Sequence, residues 1–180
     1  LWVSSADYRT DVAVSPNILK QIAEAYRKIR NTCRYLISNM YDYTPQAMQI
    51  PYKELVEIDR WALLKLYQLQ KKVTEAYENY EFHTVFHSIH NFCAVDMSAI
   101  YLDIIKDRLY TYQPDSQMRR SAQQTMHEIV TALVKMLTPI LSFTAEEIWE
   151  YLPHDEKEVT VQIAGWPVLK ETYNHPELEE

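Results

Sequence analysis

Apolar residues recur at steps of three and four along most of this chain, the spacing that gathers side chains on one face of an α-helix. From Pro16 to about Met40 the repeat is Ile18/Leu19, Ile22, Ala25/Tyr26, Ile29, Cys33, Leu36 and Met40, opened by Ser15 as N-cap and Pro16 in the first turn. Leu55, Ile58, Ala62, Leu66, Leu69, Val73 and Tyr77 predict a second helix from about Tyr52 to Asn79. A third stripe runs Phe82, Val85, Phe86, Ile89, Phe92, Cys93, Met97, Ile100, Tyr101 and Ile104, then gives way to charge in Tyr101-Leu-Asp-Ile-Ile-Lys-Asp-Arg-Leu-Tyr110. Pro114 and Asp115 follow as a stop and a new N-cap, so this decapeptide reads as an elbow between two helices. The fourth helix extends from Asp115 to about Leu137, with Met118, Ala122, Met126, Ile129, Leu133 and Met136 inward.

Four long amphipathic helices joined by short links make an all-α antiparallel bundle. Pro139 ends the fourth helix, and Thr144-Ala-Glu-Glu147 has the form of a capping box opening a short fifth helix that Pro153 stops. Val159 to Ile163 alternates like a single strand, a short C-terminal extended segment before Gly165-Trp166-Pro167. The final residues carry no pattern and are expected to be poorly ordered. Residues 1–14 read as a connector with a short extended piece, 15–153 as the helical bundle, and 154–180 as a partly irregular extension.

Composition removes several kinds of chemistry. The chain has one glycine, Gly165, against an average usage near ~7%, so glycine-rich phosphate loops, dinucleotide fingerprints and nucleophile elbows are excluded. Cys33 and Cys93 both lie inside helical patterns and form no disulfide framework, which suits a reducing, intracellular setting. No run of eighteen apolar residues and no signal-peptide pattern occur, so a soluble protein is expected. The chain opens at Leu1 without a methionine, which leads to the expectation of a piece cut from a longer protein.

Charge is unevenly placed. The formal net charge is −7, yet from Glu146 onward ten acidic residues face two lysines, leaving residues 1–145 at +1. Between Pro16 and Tyr41 five basic residues accompany one acidic residue, Glu24. Arg27, Asn31 and Arg34 stand at steps of four and three with Arg30 adjacent, a row that reaches successive phosphates while Asn31 offers donor and acceptor to a base edge. The competing reading is a solvated, charge-laced helix face.

Other candidates carry less. His83, His87 and His90 share a helix face at metal-ligand spacing, but without a zincin glutamate, and no Glu-x-x-His pair exists for a di-iron bundle. Most of the fourteen tyrosines sit on or beside apolar stripes, leaving Tyr35, Tyr41 and Tyr110 as base-stacking candidates. Glu147 is explained as a cap, and Asp155-Glu156 as a loop pair. No nucleophile, base and orienting group assemble, so catalysis within the chain is not expected.

Several stretches resemble the anticodon-binding domain of isoleucyl-tRNA synthetase, a class I aminoacyl-tRNA synthetase. They are Leu1-Trp-Val-Ser-Ser-Ala-Asp-Tyr8, Tyr26-Arg-Lys-Ile-Arg-Asn-Thr-Cys-Arg-Tyr35, Asp59-Arg60-Trp61, Phe82-His83, the elbow Tyr101–Tyr110, and Pro139-Ile-Leu-Ser-Phe-Thr-Ala-Glu-Glu-Ile-Trp149. The last occurs in variants across the valyl, leucyl and methionyl relatives; the elbow is what points to isoleucine. The resemblance implies a bundle that docks the anticodon stem and loop of isoleucine tRNA while a separate Rossmann domain activates the amino acid, in the cytoplasm, with no membrane and no DNA involved. It implies no cofactor in this stretch, the parent using ATP and Mg and some members carrying Zn in a separate module. Both catalytic signatures of the family, the editing domain and the cysteine-rich zinc module are missing here, so this stretch alone should be inactive. By position, Arg27, Arg30, Asn31 and Arg34 are the expected RNA contacts, followed by Lys106, Arg108, Arg119 and Arg120 around the elbow, with Asp107 ordering Arg108 or capping amides. The alternatives are a protein-interaction bundle using the same face and a metal-binding bundle using His83, His87 and His90.

Overall fold

The computed structural model describes residues 1–153 and 157–179, and its long elements are helices: α1 (Trp2–Ser5), α2 (Pro16–Ser38), α3 (Glu57–Glu78), α4 (Phe82–Asn91), α5 (Leu102–Ile104), α6 (Lys106–Thr111), α7 (Gln117–Leu137) and α8 (Ser142–Tyr151). Ser15 caps α2 as its sequence predicts, Oγ accepting from the Ile18 N–H at 3.2 Å. Asp155 and Glu156 lie outside the described residues.

The third helix is longer and stranger than its periodicity suggests. Between α4 and α5 the chain stays helical but winds as a π-helix over Phe92–Tyr101. Val85, Ile89, Cys93, Met97, Tyr101 and Ile105, each four residues after the last, are all fully buried. In a pure α-helix, at ~100° per residue, every fourth position drifts about 40° around the axis, so six such positions would spiral off one face. The wider π-turn, bonded from the Leu102 N–H to the Met97 carbonyl, rotates less per residue and returns the row to the core. Ile104 is left 54% exposed and Met118 39% exposed, so neither joins the core as its spacing suggests.

Helix ends account for further departures. The second helix starts at Glu57 after a separate 3-10 turn at Tyr52–Glu54. Ser116 rather than Asp115 is the N-cap residue of α7. The capping box at Thr144 is not formed, because α8 begins directly after a turn closed by the Leu141 N–H on the Leu137 carbonyl, 2.8 Å. Thr144 therefore lies within the helix and meets the Tyr26 hydroxyl at 3.2 Å. At the end of α3, Tyr80 adopts φ 57°, its N–H reaching the Tyr77 carbonyl (3.1 Å) and the Glu81 N–H the Ala76 carbonyl (2.7 Å). That is the paired-bond helix stop usually built on glycine.

α2, the α4/π helix, α3 and α7 surround one continuous core, with α8 closing against α2 and α7. Residues 1–14 include one helical turn rather than an extended piece, and Tyr8 reaches the Phe82 ring at 6.3 Å. The strand expected at Val159–Ile163 is a 3-10 turn over Val161–Ile163; no strand partner exists among the described residues, and a lone strand leaves its ladder unpaired. The tail is ordered by contacts: Trp166 donates to Thr74 (2.9 Å), the Tyr67 hydroxyl donates to Glu171 (2.9 Å), and Tyr173 is buried. Among the described residues no helix is long and apolar enough to cross a membrane.

Candidate nucleic-acid interface

The eight residues that sequence singles out divide into two sets with opposite surroundings. On α2, Arg27, Asn31 and Arg34 are exposed and Arg30 is partly so. Ala25, Ile29, Cys33 and Leu36 bury the other side of the helix, so the polar row necessarily faces outward. Arg27 pairs with Glu24 on the surface, and Arg30 reaches Glu147 of α8 at 3.3 Å. Among the described residues Arg34 forms no ion pair. Beside it lies a groove of about 320 Å³ between α2 and α8, walled by Arg30, Arg34, Ile37, Glu147, Ile148 and Tyr151. Sequence gave no sign of the α8 contribution, which comes from residues more than a hundred positions away.

The elbow adds a second exposed piece. Lys106 is exposed and pairs with Asp103 at 2.6 Å, one turn earlier. The Tyr110 hydroxyl donates to the Tyr35 oxygen at 3.3 Å, joining α6 to α2 and leaving Tyr110 65% exposed. Burial, then the Tyr110 bond and charges nearby, push the Tyr35 phenol well above its ordinary value, so it stays neutral. Tyr41 is 83% exposed just past the end of α2. All three stacking candidates therefore sit at the C-terminal end of the α2 face.

Arg108, Arg119 and Arg120 are turned inward instead. Asp59, fully buried on α3, accepts two bonds from the Arg108 guanidinium (2.8 and 2.9 Å), one from the Tyr101 hydroxyl (2.8 Å) and one from Ser121. Ser121 also accepts from the Val56 N–H at 3.0 Å, so one carboxylate holds α3, the π-helix, α6 and α7 together. Burial first, and Asp59 next, push the Tyr101 phenol far up, which keeps it a donor. Asp59, not Asp107, orders Arg108; the Asp107 carbonyl accepts from Thr111 instead.

Arg119 grips Asp42 through two nitrogens, at 2.5 and 3.1 Å, and lies 5.8 Å from the Tyr41 ring centre. Arg120 donates to the Asp42 carbonyl at 2.8 Å, and Gln123 bonds the Asp42 carboxylate at 2.8 Å. Burial opposes ionisation of Asp42, but the Arg119 and Gln123 bonds and the two arginine charges outweigh it and hold the carboxyl below its usual value. These three arginines are tied into the fold and present little surface: Arg108 is 6% and Arg119 3% exposed, and the Arg120 side chain only 13%.

The histidines do not converge on a metal. His83 and His87 line a groove against α3, whereas His90 stacks on Phe86 at 6.0 Å and lies near Lys28. Burial, then His87 and Lys28, hold His90 below its ordinary value. Among the described residues no group of three or more His, Cys, Asp or Glu is placed to hold a metal ion.

Comparison with known proteins bears on what this surface is for. The family described as "Anticodon-binding domain of tRNA ligase" matches residues 59–180. Isoleucine–tRNA ligase of Moorella thermoacetica is 59% identical over 181 residues, covering 100% of this chain and 20% of that protein. The enzyme of the same name from Carboxydothermus hydrogenoformans is 58% identical over 180 residues, again 100% and 20%, and that of Syntrophomonas wolfei 55% over 179 residues, 99% and 19%. The chain thus spans about a fifth of the length of these relatives.

Proposed function

Because this chain belongs to the family of anticodon-binding domains of tRNA ligases, we propose that it docks the anticodon stem and loop of isoleucine tRNA on the exposed face of α2, within a longer isoleucine–tRNA ligase of the cytoplasm. A separate catalytic domain of that protein attaches isoleucine with ATP and Mg, and this chain supplies the RNA grip rather than the chemistry. The observation that carries the reading is the α2 row itself: Arg27, Asn31 and Arg34 exposed on one side, Arg30 next to them, and Lys106 and Tyr110 at its end.

Physical chemistry assigns the parts. Guanidinium groups on a helix face engage backbone phosphates and set register, whereas Asn31 and the exposed tyrosines are suited to unstacked loop bases. The flexible, solvent-screened pairs Arg27–Glu24 and Arg30–Glu147 contribute little to stability, so RNA phosphates displace the carboxylates at low cost.

The test is made in the full-length protein. Arg34→Glu is expected to lower kcat/KM for charging isoleucine tRNA about tenfold or more, equivalent to ~1.4 kcal/mol, while ATP–pyrophosphate exchange with isoleucine stays near wild type. Unchanged charging in a combined Arg27→Glu, Arg30→Glu, Arg34→Glu variant would sink the α2 assignment.

A further inference from the structure

Residues 167–173 of the tail lie across α3 and α7 and roof a cavity of about 160 Å³ between them. Gln70 of α3, Thr131 and Lys135 of α7 and Val168 of the tail line it. Glu128 and Lys170 line it too, already joined to each other as an ion pair at 2.7 Å.

Three of these side chains are left incomplete by the fold. Gln70 is only 4% exposed, yet its amide makes no hydrogen bond among the described residues. The Thr131 hydroxyl is closed to solvent and has no partner among them. Lys135 is partly buried, and among the described residues no carboxylate pairs with it; its ammonium donates to the Ala164 carbonyl at 2.9 Å and lies 6.0 Å from the Trp149 ring centre. Burial holds that ammonium below its ordinary value, as expected of a cation that has lost water without gaining a counter-charge. A buried amide or hydroxyl without a partner and an enclosed cation without an anion each cost free energy. Bound water would satisfy the first two groups and leave the charge of the third uncompensated. One anion supplies what all three lack, accepting from the Gln70 amide, the Thr131 hydroxyl and a further Lys135 N–H.

Charge and size narrow the ligand. Two lysines against one glutamate leave the lining at +1, which a single monovalent anion neutralises. The volume falls below the roughly 300–1,000 Å³ that takes drug-sized ligands, so an ion of a few atoms fits and a nucleotide does not. We propose that this cavity is a small-anion site that takes a monovalent carboxylate, of the size of formate or acetate, on Gln70, Thr131 and Lys135. Its two oxygens accept from donors on α3 and α7, and Lys135 carries the link on to the tail through the Ala164 carbonyl, so the bound ion pins the tail to the bundle. The proposal stands apart from the α2 reading and does not rest on it.

Titration of the 180-residue chain, whose helices enclose one continuous core, with sodium formate and sodium acetate tests it. Ionic strength is held constant with gluconate, which is too large for the cavity, and the side-chain amide resonances of Gln70 are followed. Either carboxylate is expected to shift them along a saturating curve, half-complete below about 10 mM. Lys135→Met should raise the half-saturation concentration about tenfold or more, whereas Lys71→Met, exposed on α3 and outside the cavity, should leave it unchanged. Gln70→Leu gives a second readout that needs no resonance. It removes the stranded amide, so the unfolding midpoint in gluconate alone should not fall, and the rise in midpoint that formate gives the wild type should disappear. Gln70 resonances that stay in place or drift without saturating up to about 100 mM of both carboxylates would mean that water fills the cavity, and the site is overturned. An undiminished response in Lys135→Met, or one equally weakened in Lys71→Met, overturns it as well.

Discussion

The arginines of α2 and those of α6 and α7 are the same residue type in one small domain, yet they do opposite work. Arg34 stands exposed with no carboxylate among the described residues to pair with, whereas Arg108 is enclosed beside a fully buried Asp59. A guanidinium cannot leave water without a partner that replaces its hydration, so the buried set is recognised by its counter-ions, and only the unpaired or loosely paired set remains available to an external anion. Cation count along a sequence measures charge; partner count in the fold measures availability.

That contrast can be broken at graded cost. Asp59→Asn removes the charge that Arg108 needs and should destabilise the domain by ~3–5 kcal/mol, read from denaturant unfolding, because it strands a buried cation. The paired replacement Asp59→Leu with Arg108→Met should recover much of that loss, since a matched apolar pair avoids the desolvation cost. Arg119→Met, whose partner Asp42 is more exposed than Asp59 and keeps Arg120 beside it, should cost about 1–3 kcal/mol. Its partner adds a pH signature: the folded carboxyl of Asp42 lies below its unfolded value, so its contribution is present above the unfolded value and is lost as pH falls through the folded one. Asp42→Asn should therefore flatten the acid limb of the stability curve. Arg34→Glu should move stability by no more than ~0.5 kcal/mol while weakening the anticodon arm about tenfold, the reverse of the buried set. Smallest of all, Glu147→Gln frees Arg30 from an exposed pair; stability should change by less than ~0.5 kcal/mol and RNA affinity should rise a few-fold.

Much of the fold is legible in the sequence because burial imposes periodicity. Ser15 with Pro16, the stripe from Ala25 to Leu36 and the stripe from Ala122 to Met136 each reappear as a helix start or a buried face. Local rules failed where a longer-range contact decided. Thr144 lost the capping position to Leu141, three residues earlier, and the alternation at Val159–Ile163 had no second strand to pair with among the described residues. The π-winding was visible only as an unbroken step of four from Val85 to Ile105, a period easily taken for a loose α-stripe. Of the candidate site, the α2 row could be placed because its face follows from one helix. The roles of Arg108 and Arg119 could not, since their carboxylates lie 49 and 77 positions away along the chain.

The stop at the end of α3 has a consequence for how this domain could be strengthened. Tyr80 holds a left-handed backbone that disfavours any side chain, in a sequence whose single glycine sits elsewhere, at Gly165 with φ 69°. Its ring is 66% exposed and meets Phe82 edge-on at 6.4 Å, a modest return for the strain. Tyr80→Gly should raise the unfolding midpoint by the equivalent of about 1 kcal/mol, after subtracting the lost ring contact and the looser unfolded chain. The helix junction thus carries a stabilising mutation that natural sequence has left unused, at a position remote from the arginine row and neutral for its charge.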